Sequence, residues 1–524
     1  MNANAPLPRS AGTSRWAAFW LALSIFLPAA SVYHPNAGWN VNTRLNLIFA
    51  LVDQGTFRID DYHNLPPYDT GDKAFFNGHY YSDKVFGLSL LGVVPYLPLK
   101  MLGQQHNYHL AHWWIRTFSV SLLSAVLCVL IWCILRGLGV ESRQAGILVA
   151  AAFYGTLLFP YATVFYPYLP GAMLCLWAWL RVERAAQPDW NLNKNNALSL
   201  GILGNGFLTG FLLGAAMLMD YLFGLAVAML AARALWLWRG RNFLIRTVGA
   251  ALGGAIPLSA FALYCRAIFG SFSIPYQYEA DPLFRIGMSQ GFMGITGFQP
   301  AAFYYLTVHP YRGLFFASPL LAVALVGAFR MALGRRPAAG EPESVAPLSA
   351  AAHGFSVFSA STYRWAGWCA LALGFGYLLF NASYYMWWGG WAMGPRLMLP
   401  AIAFMIPSLA GVWTWGRAGR AAMCAAAAWS LLMILPPALV DPQTPMWLHT
   451  WPELLYPRVS QKLAAEQFLQ HVLFWRGHTA PMLGHWLGLK GLWAVLPTLA
   501  LWAVPAGLFW RCASGRRRKD APPA

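Results

Sequence analysis

Apolar residues along this chain come in long blocks. Uncharged or nearly uncharged stretches of about 18 to 25 residues recur, the length a helix needs to cross ~30 Å of hydrocarbon. They lie near 16–33, 114–135, 144–160, 165–181, 198–218, 221–238, 247–265, 313–330, 365–384, 397–414, 421–440 and 487–510. Each predicts a membrane-spanning helix. A further block, 85–101, is shorter, contains Pro95 and Pro98, and ends in Lys100. The first block follows Arg9 and Arg15 as a signal peptide would, but its long apolar region contains Trp and Pro and reads as a retained first helix. The fold class that follows is an all-α polytopic membrane protein.

Composition agrees with the pattern. The 524 residues are 58% hydrophobic and only 10% charged, against about 25% charged in a soluble domain, which excludes a water-facing globular enzyme. A net charge of +18 would suggest nucleic acid in a soluble protein. In a membrane protein it points instead to Lys and Arg held in cytoplasmic loops. The basic loops carry Arg136 and Arg143; Arg181, Arg184 and Lys194; Arg233, Arg239, Arg241 and Arg246; Arg330, Arg335 and Arg336; Arg417 and Arg420; and the tail at 516–519. All fall inside only if 85–101 does not cross, so it is expected to be a re-entrant or juxtamembrane helix on the outer side. About twelve transmembrane helices result, with both termini cytoplasmic.

This layout gives a first part, 1–336, with outer loops 34–113 and 266–312. A cytoplasmic linker follows at 337–363, rich in Ala, Ser and Pro, and then a four-helix part, 364–524, with outer loop 442–486. The seven cysteines lie in or beside apolar runs, so no disulfide framework is expected. Gly206, Gly210 and Gly214 repeat along one helix, as close helix packing in lipid requires. Residues 460–475 are weakly amphipathic and are expected to lie at the outer interface.

Hydrophilic chemistry gathers in the first outer loop. Six of the 18 acids, Asp53, Asp60, Asp61, Asp69, Asp72 and Asp83, stand there beside Arg58, Lys73 and Lys84. Carboxylates next to cations at a membrane surface suit chemistry on a phosphorylated lipid headgroup: an acid takes a proton while cations hold phosphate. A solvated loop held by salt bridges is the alternative. Arg312 and Arg396 stand at the outer mouths of spans, placed either to meet lipid phosphate or, with Arg44, to flank a bound one. Asp220 sits between two apolar stretches, where an ionisable residue is a functional candidate. His106, His109 and His112 are spaced by three, but on a helix the outer two diverge by ~120°, and no metal site is read there. Trp387 and Trp388 fit either the interfacial aromatic belt or a sugar-stacking role.

The run from Asn77 to Tyr96, with Tyr80, Tyr81, Ser82, Asp83, Lys84, Gly87 and Pro95 in order, resembles the C-type superfamily of integral-membrane glycosyltransferases. That superfamily includes the aminoarabinose transferases and the protein O-mannosyltransferases. Further strings resemble an uncharacterised bacterial branch: Phe159 to Thr163, Met219-Asp220-Tyr221, Tyr311-Arg312-Gly313, and Trp387-Trp388 through Gly394-Pro395-Arg396. The likeness spans roughly 40–400. In the family, the segment corresponding to 85–101 is also a loop-associated helix, as charge parity assigns it here.

The resemblance implies an inverting transfer of a sugar from a polyprenyl-phosphate donor to a hydroxyl acceptor on a glycolipid, lipopolysaccharide or protein, at the periplasmic face of a bacterial inner membrane. A loop Asp would act as base, with Asp60 and Asp83 leading, then Asp72 and Asp61. Lys84, Arg44, Arg312 and Arg396 would bind donor phosphate. His79, Tyr81, Asp220, Tyr221, Trp387 and Trp388 would contact substrate. No cofactor is required, although some relatives use a divalent cation. One departure stands out: aminoarabinose-type relatives carry an Asp-Glu pair ahead of an Arg after helix one, where this chain reads Val41-Asn42-Thr43-Arg44. The rival readings are a transporter or lipid flippase, and a non-catalytic relative that binds polyprenyl lipids.

Overall fold

The computed structural model describes residues 10–185, 197–240, 242–335, 358–443 and 470–513. Most of the linker expected at 337–363, much of the outer loop at 442–486 with the start of the helix expected at 460–475, and the basic tail lie outside them. The described chain is mostly helical, with one two-stranded sheet. Among the described residues, seven helices are long and apolar enough to cross a membrane by length and composition. That make-up is that of an all-α membrane protein.

The chain opens with α1 (Ser10–Ser31) and α2 (Trp39–Phe49). Strands β1 (Ala74–Phe76) and β2 (His79–Tyr81) pair antiparallel, Ala74 opposite Tyr81. Asn77 and Gly78 make their turn with φ of 48° and 81°. Two residues at positive φ are what a tight hairpin needs, and Asn-Gly provides them. Then come α3 (Gly87–Met101), α4 (Tyr108–Gly137), α5 (Ser142–Tyr154), α6 (Leu158–Ala162), α7 (Tyr168–Ala185), α8 (Ala197–Met219), α9 (Gly224–Leu237) and α10 (Phe243–Phe269). In the second outer segment α11 (Pro282–Ser289) starts where the Asp281 carboxylate accepts from the Leu283 amide at 2.8 Å, with Pro282 at the first helical position. It is followed by α12 (Pro300–Thr307), α13 (Pro319–Ala332), α14 (Ala360–Ser383), α15 (Arg396–Trp413), α16 (Gly416–Ala438) and α17 (Gly491–Ala513).

Helices α8 and α10 pack backbone to backbone along the glycine stripe. A Cβ at Gly210 would stand 1.9 Å from the Ala250 carbonyl oxygen, and one at Gly206 2.2 Å from that of Arg246. The last helix, α17, returns to lie against α1, while α14 packs on α13, so the segments before and after the linker interlock. Away from the outer segments, Arg233 on α9 forms a two-pronged ion pair with Glu183 on α7, at 2.9 and 3.2 Å. Thr362 on α14 donates to the same carboxylate at 2.7 Å, so three helices share one buried, hydrogen-bonded charge pair.

Helix α2 runs into the bundle with its polar side buried. Asn42 donates to the carbonyls of Pro67 and Asp69 at 3.0 and 2.8 Å, and Asn46 to that of Tyr68 at 2.9 Å. These bonds fasten the 65–72 loop over α2. The hairpin is fastened from the other side: Ile59 N donates to Tyr80 O at 2.9 Å, and a bridge joins Ala74 to Glu279 of the second outer segment. Two loops distant in sequence thereby meet, and a cavity lies among them and the neighbouring helix ends.

Candidate functional site

The cavity has a volume of about 560 Å³ and draws its lining from α2, the loop between α2 and α3, the start of α7, the turn between α8 and α9 and the start of α9, the segment around α11, the end of α14, and residues 384–397. Arg44 projects from α2 one turn after Asn40, whose carbonyl accepts from Arg44 Nη1 at 2.8 Å; the Asn40 side chain holds the same nitrogen. Arg44 Nε is buried without a hydrogen-bond partner. Lys84 follows the hairpin. Its Nζ lies 3.0 Å from Asp72 Oδ2, pairs with Asp83, and sits 5.1 Å from the centre of the Tyr276 ring. Burial works against the Lys84 charge, but Asp72 and Asp83 more than offset it and hold the group well above its ordinary value.

Arg396 enters from the opposite wall at the start of α15. Its Nη1 donates to Tyr166 Oη at 2.9 Å, and its Nε is buried without a hydrogen-bond partner. Among the described residues neither Arg44 nor Arg396 forms a salt bridge. Two cations, Arg44 buried and Arg396 half-buried, therefore face one cavity without carboxylate partners, an arrangement that favours an anionic ligand. Asp220 caps the turn after α8, accepting from Leu222 N at 3.0 Å, and lines the floor beside Tyr221. The remaining wall is apolar and aromatic, with Leu225, Phe284, Met288, Phe292 and Phe380. An ionic end and an apolar side in one cavity match an amphiphile better than a free ion.

The residues singled out in the sequence divide clearly. Arg44, Asp72, Lys84, Asp220, Tyr221 and Arg396 line the cavity together. Asp83 is fully buried behind Lys84, with Thr43 Oγ1 donating to it at 3.4 Å. Asp60 lies outside: it accepts from Tyr80 N at 2.8 Å and pairs with His79 at 2.9 Å, clasping the hairpin. Asp61 accepts from Gln54 at 2.8 Å on the surface. Tyr81 is buried and packs edge-on against Phe269. Arg312, 1% exposed, donates to the carbonyls of Gly390 and Gly394 at 3.0 and 3.3 Å, and so holds the loop that delivers Arg396. Trp387 is buried against Tyr305 and Tyr311, with Trp388 packed at its edge, and neither lines the cavity.

The cavity also holds residues that sequence reasoning missed. Asn40, Tyr168, Tyr276, Glu279 and Tyr384 all face it. Glu279 is buried, and desolvation together with the charge of Asp83 pushes its carboxyl up to about 11 against the pull of Lys84. Among the described residues, no group of three or more His, Cys, Asp or Glu side chains could hold a metal ion. A scan against protein-family models matched no family, and a search of curated proteins found no match.

Proposed function

We propose that this protein transfers a sugar from a polyprenyl-phosphate donor to a hydroxyl acceptor at the periplasmic face of a bacterial inner membrane, inverting the anomeric centre. The observation that carries this reading is the meeting of Arg44, Lys84 and Arg396 with carboxyl groups in one cavity that is otherwise apolar and aromatic. The cations hold the donor's phosphate and stabilise the charge that develops as the sugar leaves. The apolar wall takes the first isoprenoid units.

Asp72 is the base. Of the four loop aspartates that the sequence offers for the role, it alone lines the cavity, and Lys84 and Asn40 hold one of its oxygens, Oδ2. Its carboxylate takes the proton of the acceptor hydroxyl as that oxygen attacks the anomeric carbon, and the bond to the phosphate oxygen breaks on the far side. In this proposal the chain crosses about twelve times with both termini cytoplasmic, and α3 stays on the outer side. The cavity then opens among the outer loops.

Purified protein incubated with a panel of polyprenyl-phosphate sugars is expected to release free polyprenyl phosphate. Asp72→Asn should slow that release by about 10²- to 10⁴-fold. Undiminished release by Asp72→Asn would remove Asp72 as the base. Binding of the donor without release from the wild type would favour the non-catalytic lipid-binding reading, to which the sequence Val41-Asn42-Thr43-Arg44 lends weight.

A further inference from the structure

The ionic end of the cavity contains more carboxyl groups than its lysine can balance. Asp72 and Asp83 share the one charge of Lys84. Glu279, 3% exposed, lines the same cavity, forms no ion pair among the described residues, shares a side-chain hydrogen bond with Asp83, and keeps its Oε2 buried without a hydrogen-bond partner. The backbone bridge to Ala74 fixes it there. Asp72, Asp83 and Lys84 face it from the first outer segment, Tyr384 and Tyr385 from the turn that follows α14, and Tyr276 lines the wall on its own segment. Lys84 is the single cation in that set. Arg44 and Arg396 line the same cavity, but neither they nor Lys84 forms an ion pair with Glu279, so a third carboxylate would be a buried charge without a paired counter-ion, and the group keeps its proton.

We propose that Glu279 serves as a neutral carboxylic acid whose O–H, shared here with Asp83, turns to donate a hydrogen bond to a phosphate oxygen of the lipid-linked donor, beside Lys84. This rests on the glycosyltransferase reading above and adds to it a residue that binds the leaving group without contributing charge. The proton is donated and not transferred. The donor's phosphate is a diester, far less basic than a carboxylate held up by burial and the charge of Asp83, so the proton stays on Glu279. A carboxylic acid kept neutral by an apolar site so that it can donate is an established catalytic device.

Two measurements test this on the full-length protein in detergent. Infrared spectra at pH 8 should show a protonated-carboxyl carbonyl band that disappears in Glu279→Gln and shifts when polyprenyl phosphate is added to the wild type. Affinity for polyprenyl phosphate should fall about 10- to 100-fold in Glu279→Ala and be largely rescued in Glu279→Gln, whose amide can still donate. Absence of the band, or a Gln variant as weak as the Ala variant, overturns the role of Glu279 while leaving sugar transfer standing if the wild type still releases polyprenyl phosphate. A wild type that neither binds nor releases polyprenyl phosphate overturns both.

Discussion

At the scale of single residues, the cations around the cavity do different work. Arg44 and Arg396 line the cavity, whereas Arg312 does not, and its two hydrogen bonds go to the backbone carbonyls of Gly390 and Gly394; all three leave Nε buried without a partner. Removing a buried donor that satisfies such carbonyls costs about 1–3 kcal/mol for each group left unpaired. Arg312→Met is therefore expected to lower the unfolding temperature and to weaken donor binding only as the loop loosens. Arg396→Met should weaken donor binding with a smaller effect on unfolding. Thermal unfolding and donor titration, run side by side, separate the two. If Arg312→Met unfolds like the wild type yet loses the donor, Arg312 touches phosphate directly and is not a latch. The sequence reading puts Arg312 and Arg396 alike at outer mouths of spans, but it does not distinguish a latch from a ligand, because that depends on which backbone carbonyls come within reach.

At the scale of elements, what was legible followed from local physics. Long apolar runs marked most of the helices, and the spacing of Gly206, Gly210 and Gly214 marked the close contact of α8 with α10. Gly210→Leu should force these helices apart, since even a Cβ there would overlap the Ala250 carbonyl at 1.9 Å. The expected loss is about 2 kcal/mol or more, read from unfolding in detergent, and Leu at the uncrowded Gly204 of the same helix is the control. Equal stability of the two variants would show that α8 and α10 can separate without cost. Less was legible where polar residues turn inward. Helix α2 reads as loop because Asn40, Asn42, Arg44 and Asn46 interrupt its apolar residues; Asn42 and Asn46 are buried through carbonyls supplied by the 65–72 loop, and Arg44 through Asn40. The hairpin carried its signal in Asn77-Gly78, but strands of three residues are too short to show alternation. Glu279 carried no pattern at all, since its place beside Asp83 and Lys84 comes from the bridge to Ala74 about two hundred residues earlier in the chain.

For the whole molecule, the charge of +18 and the position of the cavity make one joint statement about sidedness. If basic loops stay inside because they resist translocation, then the loop with Arg136 and Arg143 is cytoplasmic and the cavity between the first two outer segments faces the periplasm. The two sides can be told apart chemically. Asp69 and Glu141 are both exposed, the first on the loop above α2 and the second between α4 and α5. In a background with the exposed Cys424 replaced, Asp69→Cys should react with a membrane-impermeant thiol reagent in cells with a permeabilised outer membrane. Glu141→Cys should react only after the inner membrane is broken. The converse labelling would turn the molecule over, placing the Arg44, Lys84 and Arg396 cavity on the cytoplasmic side. There the proposed lipid-linked donor would have to be used before crossing the membrane. Labelling of both positions in intact cells would mean that an even number of crossings separates Asp69 from Glu141, so that α3 crosses along with α4 or neither does. The most exposed to that outcome is α3, whose two prolines and terminal Lys100 already set it apart from the other apolar helices.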